Sequence, residues 1–205
     1  MGKVIFNNSI SLDGFVAGPN DNPDNGLGDG GMALFDWYFS GDVPFQMEGD
    51  VPAFKVSQAS ADYLLEWINS VGAMVAGRRM FDIAGAWGGN PPGGGPCFIL
   101  THNPPREWLK EGSPFTFVTD GIESAIRQAK AAAGGKDVAI GSASIAQQCL
   151  RAGLLDEIRL DIAPVLLGSG VRLFENLGEM PVKLEIIHVI DTPAVTHVGY
   201  RVVKK

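Results

Sequence analysis

The spacing of hydrophobic positions changes several times along the chain, and each change marks an element. "KVIFNNSISL" (3–12) is a strand-like run that stops at the turn dipeptide Asp13-Gly14. After Ser60, Ala61, Leu64, Leu65, Ile68 and Val71 fall on one face of a helix, with Gly72 as its C-terminal stop. "AMVAG" (73–77) reads as a short buried strand and "RRMFDIA" (78–84) as the start of another helix. "GGNPPGGGP" (88–96) is a loop, and "CFILT" (97–101) and "FTFVT" (115–119) are strands. Ile122, Ala125, Ile126 and Ala129 form the buried stripe of a helix capped by Asp120, with Glu123 three residues on. "DVAIG" (137–141) is a strand and "SASIAQQCLRAG" (142–153) a helix. Ile158, Leu160 and Ile162 alternate, predicting a strand with one buried face. Residues 182–205 form two alternating runs around a Pro-containing turn, an antiparallel hairpin that sets His188 opposite His197.

This order predicts an α/β sheet, mostly parallel early and antiparallel at the end. No repeat or linker divides the chain, so residues 1–205 read as one domain. The exception to regular patterning is an insertion at 18–56, rich in Gly, Asn, Asp and Pro and broken by "MALFDWYF" (32–39), one or two helical turns. A loop of this length is functional or disordered, and its aromatics favour a lid or a wall of a site.

Composition narrows the class. Apolar residues make up 45% and charged residues 19% of the 205 positions, as in an ordinary globular protein. A net charge of −7 argues against nucleic acid or an anionic membrane as the main partner, leaving a small-molecule substrate. It leaves room for a local basic pocket. Cys97 and Cys149 read as buried free thiols with no disulfide framework. No signal-peptide pattern opens the chain, and no apolar run approaches the roughly 20 residues that cross a bilayer. The expectation is a cytoplasmic protein, and the edge of the C-terminal hairpin suggests a homodimer.

The candidate chemistry sits at strand ends, where ligands of α/β sheets collect. At Gly141, Ser142, Ala143 and Ser144 every side chain is small or absent, which suits either a tight turn or a phosphate cradle at a helix N-terminus. Gly77, Arg78 and Arg79 repeat the arrangement with two cations, read as solvated arginines or phosphate ligands. A third strand end offers Thr101 and His102. Together the three favour an extended nucleotide with more than one phosphate group. Asp13 is either a turn residue or a proton donor near a reacting centre. Trp37, Tyr38 and Trp87 either pack or stack on a planar substrate. Two histidines are too few for a zinc site, so no metal is expected.

"SLDGFVAGP", "GRRMFD" and the run from "AIGSASIAQQCL" to "PVLLGSGVRLFE" together resemble, in order and spacing, the dihydrofolate reductase-like superfamily. The branch most similar is the reductase half of the bifunctional riboflavin-pathway deaminase-reductase, in stand-alone form. The resemblance implies a three-layer α/β/α fold, a mixed sheet with an antiparallel C-terminal hairpin, and an NADPH-binding cleft. It implies that Gly77, Arg78, Arg79 and Met80 form a cofactor-phosphate turn, and that Thr101 and His102 lie beside the adenosine 2′-phosphate. Gly141, Ser142, Ala143, Ser144 and Ile145 would lie under the diphosphate, and Ala17 and Gly18 near the nicotinamide. Asp13 would be the acidic residue after the first strand. Pro164, Leu167, Gly168 and Gly170 would border the substrate side, with Trp37 and Trp87 as stacking candidates. The implied activity is hydride transfer from NADPH to a C=N or C=O group of a ribosylamino-pyrimidine-like substrate. A non-catalytic nucleotide-binding module and a folate reductase are the alternatives. This chain departs from the family at Ser142, where a second glycine is common, and lacks the arginine-rich substrate helix and the zinc-binding deaminase half.

Overall fold

The computed structural model describes residues 2–46, 53–175, 177–178 and 181–204, so positions 47–52 of the insertion lie outside the described residues. The chain begins with β1 (Val4–Ser11) and β2 (Phe15–Ala17), a 3₁₀ helix (Gly31–Phe39), β3 (Val43–Phe45) and β4 (Phe54–Val56). It continues through α1 (Gln58–Ser70), β5 (Val71–Gly77), α2 (Arg78–Ile83), β6 (Cys97–Leu100), β7 (Phe115–Val118) and α3 (Ile122–Ala132). It closes with β8 (Asp137–Ile140), α4 (Ala143–Arg151), β9 (Glu157–Ala163), β10 (Val171–Arg172), β11 (Leu184–Asp191) and β12 (Thr196–Val202).

Eight strands form one sheet in the order β11-β12-β9-β1-β8-β5-β6-β7. The six strands from β9 to β7 run parallel, and β12 and β11 join antiparallel. Alternation then sorts side chains between two faces. Val4, Phe6, Val75, Val138 and Ile140 pack under α3 and α4, where Ala125, Ala129, Ile145 and Cys149 meet them. On the other face, Met74, Ala76, Cys97 and Ile99 pack with Phe81 of α2, while Ala61, Tyr63 and Leu64 of α1 pack with Trp37. The layers are therefore α/β/α.

Four local expectations change. Helix α1 stops at Ser70, and Gly72 lies inside β5 beside a register shift, because an added Cβ there would stand 2.3 Å from the Ala133 carbonyl oxygen. Helix α3 is capped by Gly121 at φ 103, and Asp120 makes no side-chain cap. Strand β9 is buried on both faces, since it sits between β1 and β12 under two layers. The hairpin turns one residue later than expected, at Thr192–Val195, so His197 pairs with Ile190 and His188 with Gly199.

The described part of the insertion folds back on itself. Gly18 approaches the Asp29 carbonyl oxygen so closely that a Cβ would lie 2.0 Å from it. The 3₁₀ helix then carries Trp37 and Leu34 into the core. Both cysteines are buried and free, and burial pushes each thiol up to about 12. No helix among the described residues is long and apolar enough to cross a membrane.

Candidate active site

Parallel pairing brings the C-terminal ends of six strands to one edge. There the turns after β8, β5 and β6 are knitted together. The Gly77 N–H donates to Ser142 Oγ at 3.2 Å. Arg78 donates through Nη1 to the Asn103 carbonyl and through Nε to Asp82 Oδ1 at 2.7 Å. Because the Ser142 hydroxyl faces Gly77, no side chain caps the first turn of α4. Its N–H groups and the positive end of its dipole are left for an anion. Gly77 is fitted to this spot: a Cβ would stand 3.1 Å from Ser142 Oγ and 3.4 Å from Ser144 Oγ. Small, open and uncapped, the turn fits a dinucleotide phosphate.

A cavity of about 310 Å³ adjoins this edge, at the lower end of the size typical for small-molecule sites. It lies on the α1 face of the sheet. Phe35, Tyr38, Leu64, Trp67, Met74 and Met80 give it apolar walls, and Asn7, Ser9 and Asp161 line it among the sheet residues. Gly141 and Met80 border both the cavity and the cradle.

The sheet beneath carries a buried polar row. Ser9, Asp161 and His197 are register neighbours on β1, β9 and β12. The Trp37 indole N–H donates to Ser9 Oγ at 3.0 Å. His197 Nδ1 lies 2.7 Å from Asp161 Oδ1, and His197 Nε2 lies 2.9 Å from Ser60 Oγ. Ser60 Oγ itself accepts from Ser57 Oγ at 3.0 Å. That direction leaves the Ser60 proton for His197 Nε2 and the Nδ1 proton for Asp161, so one tautomer satisfies the row. The connectivity is that of an acyl-transfer triad, but Ser60 is only 1% exposed and cannot act as a nucleophile. Burial first, and then the charge of Asp161, push the Tyr38 and Tyr63 phenols well above their ordinary range.

The model of the RibD C-terminal domain family matches residues 2–198. The chain belongs to that family. An uncharacterized protein, YyaP of Bacillus subtilis (strain 168), is 24% identical over 186 residues, covering 86% of this chain and 82% of YyaP. A crystal structure from Shewanella sp. PV-4, named for riboflavin biosynthesis, covers 100% of both chains with a TM-score of 0.69 at 21% identity. The Thermotoga maritima diaminohydroxyphosphoribosylaminopyrimidine deaminase/5-amino-6-(5-phosphoribosylamino)uracil reductase matches 98% of this chain and 57% of its own, with a TM-score of 0.58 at 12% identity. These structural likenesses carry the fold. Membership makes the chain a riboflavin-pathway reductase-like protein.

Within the RibD C-terminal fold, the expected residues fall into three groups. Gly77, Arg78, Met80, Thr101, Gly141, Ser142 and Ser144 gather at the strand-end edge, while Ala143 and Ile145 bury their side chains and offer only backbone. His102 follows Thr101 as an exposed residue. Arg79 turns toward the insertion, where Nη2 meets Asp21 Oδ1 at 2.7 Å.

The second group is a loop cluster at the ends of β1 and β9. Gly170 approaches so closely that its Cβ would lie 2.1 Å from the Ala17 carbonyl oxygen, beside Gly18. Asp13 accepts from Ser11 Oγ at 2.6 Å and from the Leu167 and Gly168 N–H groups. The Ser11 bond, the largest effect, together with the Gly168 and Leu167 backbone bonds, holds its carboxyl below the usual range against the opposing effect of desolvation. Through these bonds Asp13 ties down the 164–170 loop. Neither it nor Pro164, Leu167, Gly168 and Gly170 lines the cavity.

The aromatics form the third group. Trp37 is 2% exposed and edge-on to His197, so it is a packing residue, while Tyr38 beside it lines the cavity. Trp87 packs with Phe81 and Phe115 and does not line the cavity. Sequence reasoning missed Asp161, Asn7 and Trp67. The available signal was a strand with polar residues at 157, 159 and 161 that a central position would bury.

Proposed function

We propose that the protein is an NADPH-dependent reductase that delivers hydride to a C=N or C=O carbon of a small heterocyclic substrate. The substrate class is that of ribosylamino-pyrimidines, as in 5-amino-6-(5-phosphoribosylamino)uracil reductases. The observation that carries the reading is the shared border of two sites. Gly141 and Met80 belong both to the uncapped strand-end cradle and to the aromatic-walled cavity.

In this reading the N–H groups from Ser142 to Ile145 hold the diphosphate, with Gly141 giving the close approach. Thr101, His102 and Arg78 receive the 2′-phosphate. Arg79 is exposed and paired with Asp21, and exchanging one surface anion for another costs it little. Ala17 and Gly18, pinned by Gly170, frame the nicotinamide end. When bound, NADPH supplies the hydride; the chain's residues orient both partners and exclude water. The protein works in the cytoplasm, as a homodimer, on a small molecule, without nucleic-acid or membrane partners.

Calorimetric titration with NADPH and NADH tests the reading. The expected result is binding of both, with NADPH the tighter. Equal affinity removes the 2′-phosphate assignment, and absence of binding by either removes the cofactor.

A further inference from the structure

Reduction of a C=N or C=O group ends with a proton on the nitrogen or oxygen, so a proton donor must stand beside the substrate. Asp13 does not line the cavity. Among the described residues that do, only Tyr38 and Asp161 carry titratable side chains. Asp161 is engaged on two sides: Oδ1 meets His197 Nδ1 at 2.7 Å, and the Tyr63 hydroxyl hydrogen-bonds to its carboxylate. Asn7 Nδ2 in turn donates to Tyr63 Oη at 2.6 Å, so that phenol is committed as well. Tyr38 is placed otherwise. Its ring stacks on Trp37 with centroids 4.0 Å apart and leans on Phe54 at 4.7 Å. Trp37 is itself pinned through its indole N–H to Ser9 Oγ at 3.0 Å. The phenol is therefore held rigid, yet no hydrogen bond from a described residue reaches its oxygen. That oxygen is not sealed in the core, because the buried polar side-chain atom without a partner among the described residues is His188 Nε2. Burial first, and then the charge of Asp161, keep the Tyr38 phenol in its neutral form. No Lys, Arg or His is among the described lining residues, so nothing there would neutralise a phosphate.

We propose that Tyr38 is the proton-donating catalytic residue of this cavity, and that the cavity admits a further substrate class: flat, uncharged aryl ketones and aldehydes without a phosphate, whose carbonyl oxygen accepts a hydrogen bond from Tyr38 Oη. Phe35, Trp67, Met74 and Met80 supply the faces that meet the ring. As hydride reaches the carbonyl carbon, the C=O π pair moves onto oxygen and takes the Tyr38 proton, leaving an alcohol and a phenolate. The carbonyl carbon is reduced and the nicotinamide oxidised, and the phenolate recovers its proton from water. An alkoxide is a stronger base than a phenolate, so the transfer runs downhill even from a buried phenol. The inference rests on the reductase reading for the hydride alone; the hydrogen bond to the carbonyl does not depend on it.

The test uses acetophenone and α-methylstyrene, which share one shape; in the second a methylene replaces the carbonyl oxygen. Both are titrated calorimetrically into the full chain without NADPH. Tyr38→Phe should weaken acetophenone about three- to tenfold and leave α-methylstyrene unchanged. Difference infrared spectroscopy should place the carbonyl stretch of bound acetophenone below its position in hexane, and Tyr38→Phe should move it back up. Phenyl phosphate should not displace acetophenone. With NADPH added, phenylethanol should form, and Tyr38→Phe should slow its formation by about 10²–10⁴-fold. Equal weakening of both probes, or weakening of neither, overturns the proposal. So does a stretch at its hexane position, failure of acetophenone to bind, or its displacement by phenyl phosphate. If Tyr38→Phe fails to fold, the stretch in the wild type still decides. A chain that binds NADPH and holds the carbonyl on Tyr38 but makes no phenylethanol overturns the catalytic role. If NADPH does not bind, the reductase reading fails by itself, and the infrared result alone decides the carbonyl site.

Discussion

The Gly168 N–H donates to Asp13 Oδ2 at 2.7 Å, and the Leu167 N–H donates to Oδ1 of the same carboxylate at 3.1 Å. One side chain after β1 thus fixes the loop after β9. Because these bonds favour the charged form, the folded carboxyl titrates below its ordinary value of 3.8. The latch is fully present above that value and is lost as pH falls through the lower folded value. Asp13→Asn is expected to raise amide exchange at Leu167 and Gly168 and to change kcat by less than tenfold, whereas loss of a general acid typically costs about 10²–10⁴. Steady-state NADPH oxidation together with hydrogen exchange separates the two roles. A hundredfold fall in kcat with exchange unchanged returns Asp13 to proton transfer.

Arg79 and Asp21 connect the strand-end edge to the insertion, through a side-chain pair and a bond to the Asp21 carbonyl. If Arg79 serves the 2′-phosphate, it must leave Asp21 to do so. An exposed pair is worth about 0.2–1 kcal/mol, so Asp21→Ala should tighten NADPH by up to about fivefold and leave NADH unchanged. Parallel calorimetry with both nucleotides checks this. Equal changes for the two mean that Arg79 only anchors the insertion.

How much of this was legible beforehand depended on the range of the interaction. The α3 stripe, the strand-to-helix turns at Gly77 and Gly141, and the antiparallel tail are local patterns, and periodicity exposes them. The Ser9–Asp161–His197 row joins sheet neighbours 152 and 36 positions apart in sequence, and only their adjacency in the sheet creates it. In β9, the alternation of Ile158, Leu160 and Ile162 was read as a buried face opposite a wet one. The second layer covers that other face, which makes Glu157, Arg159 and Asp161 buried polar residues. The hairpin register failed by one position because Thr192 Oγ1 and its N–H both bond to Val195, moving the turn past Pro193.

Strand β11 is the open edge of the sheet beyond β12, and it exposes Leu184, Ile186, Ile187 and Val189. Unprotected apolar edge strands tend to pair with another chain. A two-fold dimer formed across β11 would cover both copies at once. Light scattering after gel filtration is expected to give twice the chain mass of 21.8 kDa for the wild type. Ile186, 67% exposed, tolerates a charge in a monomer but not in such an interface. Ile186→Lys should therefore give the monomer mass with an unchanged circular dichroism spectrum. A wild type that is monomeric at every concentration removes the β11 dimer.

His188 stands over Gly199, where a Cβ would lie 2.3 Å from its ring, and edge-on to Tyr63 with centroids 5.7 Å apart. Its Nε2 is buried without a hydrogen bond from the described residues. Burial first, and then the positive charge of Arg159, lower its pKa from the ordinary value of 6.5. Above that range the group is neutral in both folded and unfolded chains and contributes no pH dependence. Below it the unfolded chain accepts a proton that the folded chain resists, so stability falls as pH drops through 6.5. Urea midpoints measured at neutral pH and at about pH 5.5 should show this fall, and His188→Phe, which keeps a flat ring over Gly199, should reduce it. Carboxylates such as Asp13 contribute their own loss only at lower pH, near and below 3.8, so the two windows are separable. A wild-type midpoint that does not move between the two pH values would show that the ring takes up its proton in the folded state.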